Sequence, residues 1–265
     1  MNKTTINTLL EWKKNKKKFA CITAYDFTFA NLFSKSGINV ILVGDSLGMT
    51  IQGYSTTLQV TIQDMIYHTQ CVRKGAPDSF IMSDMPFMSY SSLNDAYKNA
   101  ALLIQSGANM VKIEGGEKWI CNIVNNLVKR SIPVCGHLGL TPQSINMIGG
   151  YKIAGRNQKD SEKIISNSIS LEKSGIQLIV LECIPWKLAQ KITQTLSIPV
   201  IGIGSGKMTD GQILVMHDIL GITVNNIPSF SKKFMNESYD IKNAINKYVK
   251  SVENELFPSK EHIFD

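Results

Sequence analysis

The sequence predicts an α/β fold of the (β/α)8 TIM-barrel class, and three observations predict it. Apolar runs recur without polar alternation, as strands covered on both faces require. Amphipathic stretches with helical spacing separate most of them. A self-similar unit (Ser-Gly, a short spacer, an apolar run, an acid) recurs at Ser36–Asp45, Ser106–Glu114 and Ser174–Glu182. Each unit ends a helical stretch at Gly37, Gly107 or Gly175, where glycine suits a left-handed cap. A second variant, Ser131–His137 and Ser197–Gly204, opens its strand at Pro133 or Pro199, a position where proline is tolerated.

Eight strands are expected: Phe19–Asp26, Val40–Ser46, Phe80–Met85, Met110–Gly115, Pro133–Leu138, Leu178–Cys183, Pro199–Gly204 and Ile222–Asn226. Helices are expected at Thr61–Lys74, Ser92–Gln105, Trp119–Val128, Asp160–Lys173, Pro185–Leu196 and Asp210–Leu220. Ser92 and Asp95 have the spacing of a capping box. Eight strand-then-helix units in roughly 225 residues fit a closed barrel better than an open doubly wound sheet. With no internal linker, residues 1–265 form one domain: a barrel over about 19–235 and a C-terminal helix over about 236–256.

The chain has 265 residues, 43% of them hydrophobic, enough to bury a full core. It has no apolar run of about 18 residues that could span a bilayer. Met1–Leu10 is polar and unlike a secretory signal, so a cytoplasmic location and no membrane partner are expected. Five cysteines, Cys21, Cys71, Cys121, Cys135 and Cys183, include no C-x-x-C pair and read as reduced thiols. Much of the net charge of +7 sits in Lys13-Lys14-Asn15-Lys16-Lys17-Lys18. That run reads as a solvated lead-in to the first strand. The alternative is an anion-attracting patch, but no aromatic interleaves it and no nucleic-acid partner is expected.

Reactive groups of barrel enzymes sit at the C-terminal ends of strands. Here those ends carry Asp26, Asp45-Ser46, Asp84, Lys112, Glu114, His137, Glu182 and Gly204-Ser205-Gly206. Asp45, Asp84 and Glu114 come from neighbouring strands, and three converging carboxylates repel unless a cation lies between them. Hard oxygen donors favour Mg²⁺, with Mn²⁺ or Co²⁺ as replacements. Helix capping or lysine pairing would also explain these acids. Lys112 and Glu114, two apart, face the lumen. Lys112 could neutralise an anionic substrate or form a Schiff base, and the carboxylates favour the first. Glu182 ends an apolar run that suits a general base, or it is the acid of a helix N-terminus ahead of Pro185. His137 either hydrogen-bonds substrate or is a satisfied barrel histidine. The other histidines, His68, His217 and His262, read as ordinary. The Gly202–Gly206 loop resembles a phosphate cradle but lacks the rest of a dinucleotide fingerprint.

Taken together, Ala24-Tyr25-Asp26, Val43–Gly48, Ser83–Phe87, Val111–Gly115, Gly136–Gln143, Ile201–Gly206 and Asp210–Val215 resemble the ketopantoate (3-methyl-2-oxobutanoate) hydroxymethyltransferase family, within the phosphoenolpyruvate/pyruvate barrel superfamily. The resemblance runs from about Lys17 to Phe264. It implies hydroxymethyl transfer from 5,10-methylenetetrahydrofolate to 3-methyl-2-oxobutanoate through a Mg²⁺-stabilised enolate, on the route to pantothenate and coenzyme A. It implies one Mg²⁺ per subunit, held by Asp45 and Asp84 with Glu114 in its shell, directly or through water. Asp45, Ser46, Asp84, Lys112 and His137 would bind the keto acid, and Glu182 would accept the proton. It further implies a homo-oligomer, commonly a decamer. Ser205 departs from the family's alanine. Competing readings are a carbon–carbon lyase of the same superfamily, whose cysteine-bearing loop this chain lacks, and an aldolase using Lys112 as Schiff-base nucleophile. A basic barrel binding nucleic acid through Lys13–Lys18 is the reading from a different class.

Overall fold

The computed structural model describes residues 3–224 and 226–265. Eight parallel strands, β1 (Phe19–Thr23), β2 (Val40–Val43), β3 (Phe80–Asp84), β4 (Met110–Glu114), β5 (Val134–Gly139), β6 (Leu178–Glu182), β7 (Val200–Ile203) and β8 (Gly211–Leu214), close in sequence order. Closure pairs Phe19 with Gly211 and Ile22 with Leu214. The helices are α1 (Ile6–Lys14), α2 (Phe27–Lys35), α3 (Leu47–Thr50), α4 (Ile62–Gly75), α5 (Leu93–Gln105) and α6 (Lys118–Val128). They continue with α7 (Ile145–Ile148), α8 (Gln158–Lys173), α9 (Trp186–Thr195), α10 (Met216–Leu220) and α11 (Ile241–Glu253).

The repeated Ser-Gly signal does what its chemistry requires. Gly37, Gly107 and Gly175 follow α2, α5 and α8 with φ of +91°, +110° and +102°, a region where a side chain would be strained. Strand alternation then produces two cores. Ile22, Ile41, Val43, Ile81, Val111, Ile113, Ile179 and Leu181 face outward and pack beneath the helices. Phe19, Cys21, Val40, Phe80, Met82, Met110, Cys135 and Leu178 fill the lower lumen. Because the lumen is packed below, the polar residues of the strand ends meet above it, at one open mouth.

Helix α1 plugs the other end. Its Leu9 is fully buried in the lumen cluster, with Ile6 and Trp12 packed beside it. Part of the lysine run explains this closure. Lys13 pairs with Asp210 at 2.8 Å and donates to the Thr193 carbonyl at 3.0 Å. Lys18 donates to the Thr209 carbonyl at 2.7 Å, and Lys17 lies over the Trp12 ring. Lys13 and Lys18 therefore tie the plug and the turn after it to the barrel floor, while Lys17 packs on the plug itself.

Three expected elements differ. The last strand is Gly211–Leu214, not Ile222–Asn226. Of that expected segment, Asn225 lies outside the described residues; Ile222 is over half exposed and Val224 is fully exposed. β7 passes to β8 through the loop 204–210 without a crossover helix, so the segment expected to be one helix, Asp210–Leu220, is a strand followed by α10. The C-terminal helix begins later than expected: a 3-10 turn spans Phe234–Glu237, and Asp240 caps α11 by accepting from Asn243 N–H. All five cysteines are free.

Candidate active site

Seven polar residues converge at the barrel mouth from the upper parts of strands β2 to β6 and the residues that follow them, above a lumen whose lower positions are apolar. Asp45, Asp84, Lys112, Glu114 and His137 are each at most 6% exposed. Asp45 follows β2, and its backbone N–H donates to Asp84 Oδ2 at 3.0 Å. Lys112 Nζ stands 3.0 Å from Asp84 Oδ1 and 3.3 Å from His137 Nδ1. His137 lies between two carboxylates, Nδ1 at 3.2 Å from Glu114 Oε1 and Nε2 at 3.2 Å from Glu182 Oε2. Ser46 Oγ shares a 2.8 Å hydrogen bond with the buried Tyr25 hydroxyl.

The charges are set by burial and by one another. Burial first, then Asp84 and Glu114, drives the Asp45 carboxyl well above the usual range, with Lys112 and Gln143 offsetting only part. Burial also opposes a charge on Lys112, yet Asp84, Glu114 and Asp45 together outweigh it and hold the ammonium. For His137, burial and Lys112 disfavour the cation, but Glu114 and Glu182 win and lift it to about 9. Glu114 is pushed up by burial and pulled down further by His137, Lys112 and the Gln143 N–H.

The three carboxylates expected to bind metal reach the same pole but do not share it equally. Glu114 has both oxygens engaged: Oε1 beside His137, and Oε2 accepting from Gln143 N–H at 3.0 Å. Among the described residues no three His, Cys, Asp or Glu side chains converge as a metal-binding group. Asp45 and Asp84 face each other with less support. Asp84 Oδ1 is buried and, despite its closeness to Lys112, lacks an aligned hydrogen-bond donor. A strained carboxylate pair with an open buried oxygen is a donor set that fits a hard divalent cation.

Glu182 is positioned by its backbone. Gly139, at φ +101°, has no room for a Cβ, which would overlap the Glu182 carbonyl oxygen. That carbonyl accepts from Leu140 N–H at 2.9 Å. The next residue, Cys183, adopts φ +48°, an uncommon conformation for a side-chain-bearing residue. Its N–H donates to Ile203 and its carbonyl accepts from Ala154. Ser205, the departure from the family pattern, points away from the mouth and donates to the Leu181 carbonyl at 2.7 Å.

Two residues not singled out from sequence stand out here. Gln143 Nε2 donates to Asp45 Oδ2 at 2.8 Å and to the Met85 carbonyl at 3.0 Å, while its Oε1 accepts from Tyr90 at 2.6 Å. It thus joins the loops after β2, β3 and β5, and its N–H reaches Glu114 at the end of β4. Its place after Thr141-Pro142, just past a strand end, was the available signal. Asp218, on α10, lines the same cavity and is buried, which lifts its carboxyl to about 6; it lay inside a stretch expected to be plain helix. Asp26 is instead a helix cap, accepting from Phe29 N–H at 2.9 Å. The cavity over the site measures about 680 Å³.

Comparison with known proteins identifies the family of the chain. The sequence profile of the ketopantoate hydroxymethyltransferase family matches residues 3–260. The chain is 60% identical over 264 residues to the 3-methyl-2-oxobutanoate hydroxymethyltransferase of Buchnera aphidicola subsp. Acyrthosiphon pisum (strain APS), covering 100% of both. It is 61% identical over 266 residues to that of Wigglesworthia glossinidia brevipalpis, again covering 100% of both. Among solved structures, phosphonopyruvate hydrolase in complex with oxalate and Mg²⁺ shares the fold at a TM-score of 0.61 and 9% identity, over 82% of this chain and 83% of that one.

Proposed function

Because the chain belongs to the ketopantoate hydroxymethyltransferase family and is an enzyme that hydroxymethylates 3-methyl-2-oxobutanoate, we propose that Asp45 and Asp84 hold Mg²⁺ while Glu182 takes the substrate proton. The reading carries with it 5,10-methylenetetrahydrofolate as the one-carbon donor, one Mg²⁺ per subunit and a cytoplasmic homo-oligomer, the decamer being the family's common form. The observation that carries the metal assignment is the open oxygen of Asp84 facing a second, destabilised carboxylate. Mg²⁺ bound there would draw electron density from the keto acid's carboxylate and ketone oxygens and so acidify C3.

The remaining steps belong to the chain. Lys112, held as an ammonium and buried beside Asp84, attracts the anionic keto acid and stabilises negative charge developing on its oxygens. Ser46, oriented by Tyr25, donates to the same ligand. Glu114 supports the site from outside, since its oxygens are committed to His137 and Gln143. Glu182 removes the C3 proton, and the imidazolium of His137 holds its carboxylate in place. The carbon nucleophile so formed bonds to the methylene carbon as the C–N10 bond breaks and N10 takes a proton; water then supplies the hydroxyl oxygen as the remaining C–N5 bond breaks and tetrahydrofolate leaves. A Schiff-base role for Lys112 is disfavoured, because it needs a neutral amine and three carboxylates hold this one charged.

Ketopantoate formation from 3-methyl-2-oxobutanoate and 5,10-methylenetetrahydrofolate, measured with and without EDTA, tests the reading. Activity lost in EDTA and restored by Mg²⁺ is expected. Undiminished turnover in EDTA, with enzyme trapped by borohydride and keto acid, would replace it with the aldolase mechanism.

A further inference from the structure

A cavity of about 680 Å³ is of a size that accepts drug-sized ligands, and a small branched keto acid occupies only a corner of it. Its two sides favour opposite ligands. On the β3–β4 side, Lys112 attracts an anion. On the β8 side stands Asp218, 7% exposed, with Val215 and the aromatic pair Phe230 and Phe264 lining the same cavity. Those two rings meet edge to face with centroids 6.3 Å apart. Among the described residues, Asp218 Oδ2 accepts one long side-chain hydrogen bond, 3.4 Å from Ser231 Oγ, and no lysine or arginine pairs with it. The carboxylate of a keto acid is repelled there.

We propose that Asp218 recognises the 2-amino-4-oxo ring of the reduced folate, accepting from its ring N3–H and 2-amino group while Phe230 and Phe264 cover the ring's apolar surface. The inference rests on the reading that a reduced folate is the one-carbon donor. A planar amino-oxopyrimidine edge offers two parallel N–H donors, the arrangement a carboxylate accepts in bidentate fashion. Asp218 lines the cavity with one side-chain hydrogen bond in the fold, so a ligand that brings two N–H donors to its carboxylate is favoured over one that lacks them. Strand order supports the orientation: β8 and β2 flank β1, so Asp218 stands two strands around the mouth from Asp45. The folate's reactive end then points across toward the keto acid. Burial lifts the Asp218 carboxyl to about 6, which leaves it ionised near neutral pH despite having little compensation in the fold, a combination found at functional sites.

Equilibrium dialysis of tetrahydrofolate and, separately, of 3-methyl-2-oxobutanoate with Mg²⁺ tests this on the whole protein and on Asp218→Asn. Tetrahydrofolate is expected to bind the variant at least about tenfold more weakly, with the keto acid Kd changed by less than about threefold. A 2-desamino-2-methyl analogue of tetrahydrofolate should bind the native protein at least about tenfold more weakly than tetrahydrofolate, and the variant with no such penalty. Equal tetrahydrofolate affinity in protein and variant, or equal loss of both ligands, overturns the proposal and leaves the folate reading intact. Keto acid binding without any tetrahydrofolate binding to the native protein overturns the folate reading itself. If Asp218→Asn does not fold, the analogue on the native protein still decides, since undiminished binding refutes recognition of the amino edge.

Discussion

The placement of Glu182, the proposed base, depends little on its own side chain. Its backbone is clamped by the strained Cys183 on one side and by the space that only a glycine at 139 leaves on the other. Gly139→Ala should therefore displace the base and lower kcat by at least about tenfold with a smaller effect on the keto acid KM; steady-state kinetics on a variant that still melts cooperatively checks it. Glu182→Gln should bind keto acid and Mg²⁺ but lose C3 deuterium exchange by roughly 10²-fold or more, as removal of a general base does. Exchange at the native rate would mean another group takes the proton. Asp218 makes a stability prediction of the opposite sign from that of a salt-bridged carboxylate. Its folded carboxyl titrates near 6, above the usual aspartate range, so the stability it contributes is full in acid and falls as pH rises toward and through 6. Asp218→Asn should thus gain on the order of 2 kcal/mol over the native protein at pH 8 and converge with it near pH 4, as read from paired denaturant titrations.

At the scale of elements, the lysine run and α1 behave as one fastening. Asp210 Oδ2 accepts from both Lys13 and Val200 N–H, at 2.8 Å each, so its removal strands a cation and a strand-end amide together. Asp210→Ala should cost roughly 2–4 kcal/mol in urea denaturation. Lys16→Ala, on the exposed turn after α1, should change stability by less than about 0.5 kcal/mol. The elements misread from sequence follow from a related cause. Ile222–Asn226 carries β-branched residues that suit a strand, but Gly211–Leu214 already completes the hydrogen bonding between β7 and β1. Local propensity did not reveal which short run would reach both neighbours, because that depends on the barrel's closure.

For the whole molecule, a cation between Asp45 and Asp84 should do more than serve chemistry, since it would relieve two buried like charges. Adding Mg²⁺ to EDTA-treated protein at pH 8 is expected to raise the melting temperature, by the linkage that any ligand of the native state obeys. Asp84→Asn should abolish most of that increment, whereas an unchanged increment would place the ion elsewhere.

Sequence alone determined the fold class, seven of the eight strands and the residues of the mouth, because strand periodicity and acids at strand ends are local signals. Asp45, Ser46, Asp84, Lys112, Glu114, His137 and Glu182 were all legible in this way, and the family resemblance added their roles. Tertiary structure alone decided which groups each of them meets. Glu114 has its oxygens taken by His137 and by a backbone amide 29 residues away, and Gln143 reaches Asp45 across 98 residues. It also showed that Asp218 opens onto the same cavity and that the lysines fasten a plug. Those outcomes depend on which distant groups meet once the barrel closes, and no spacing along the chain encodes that.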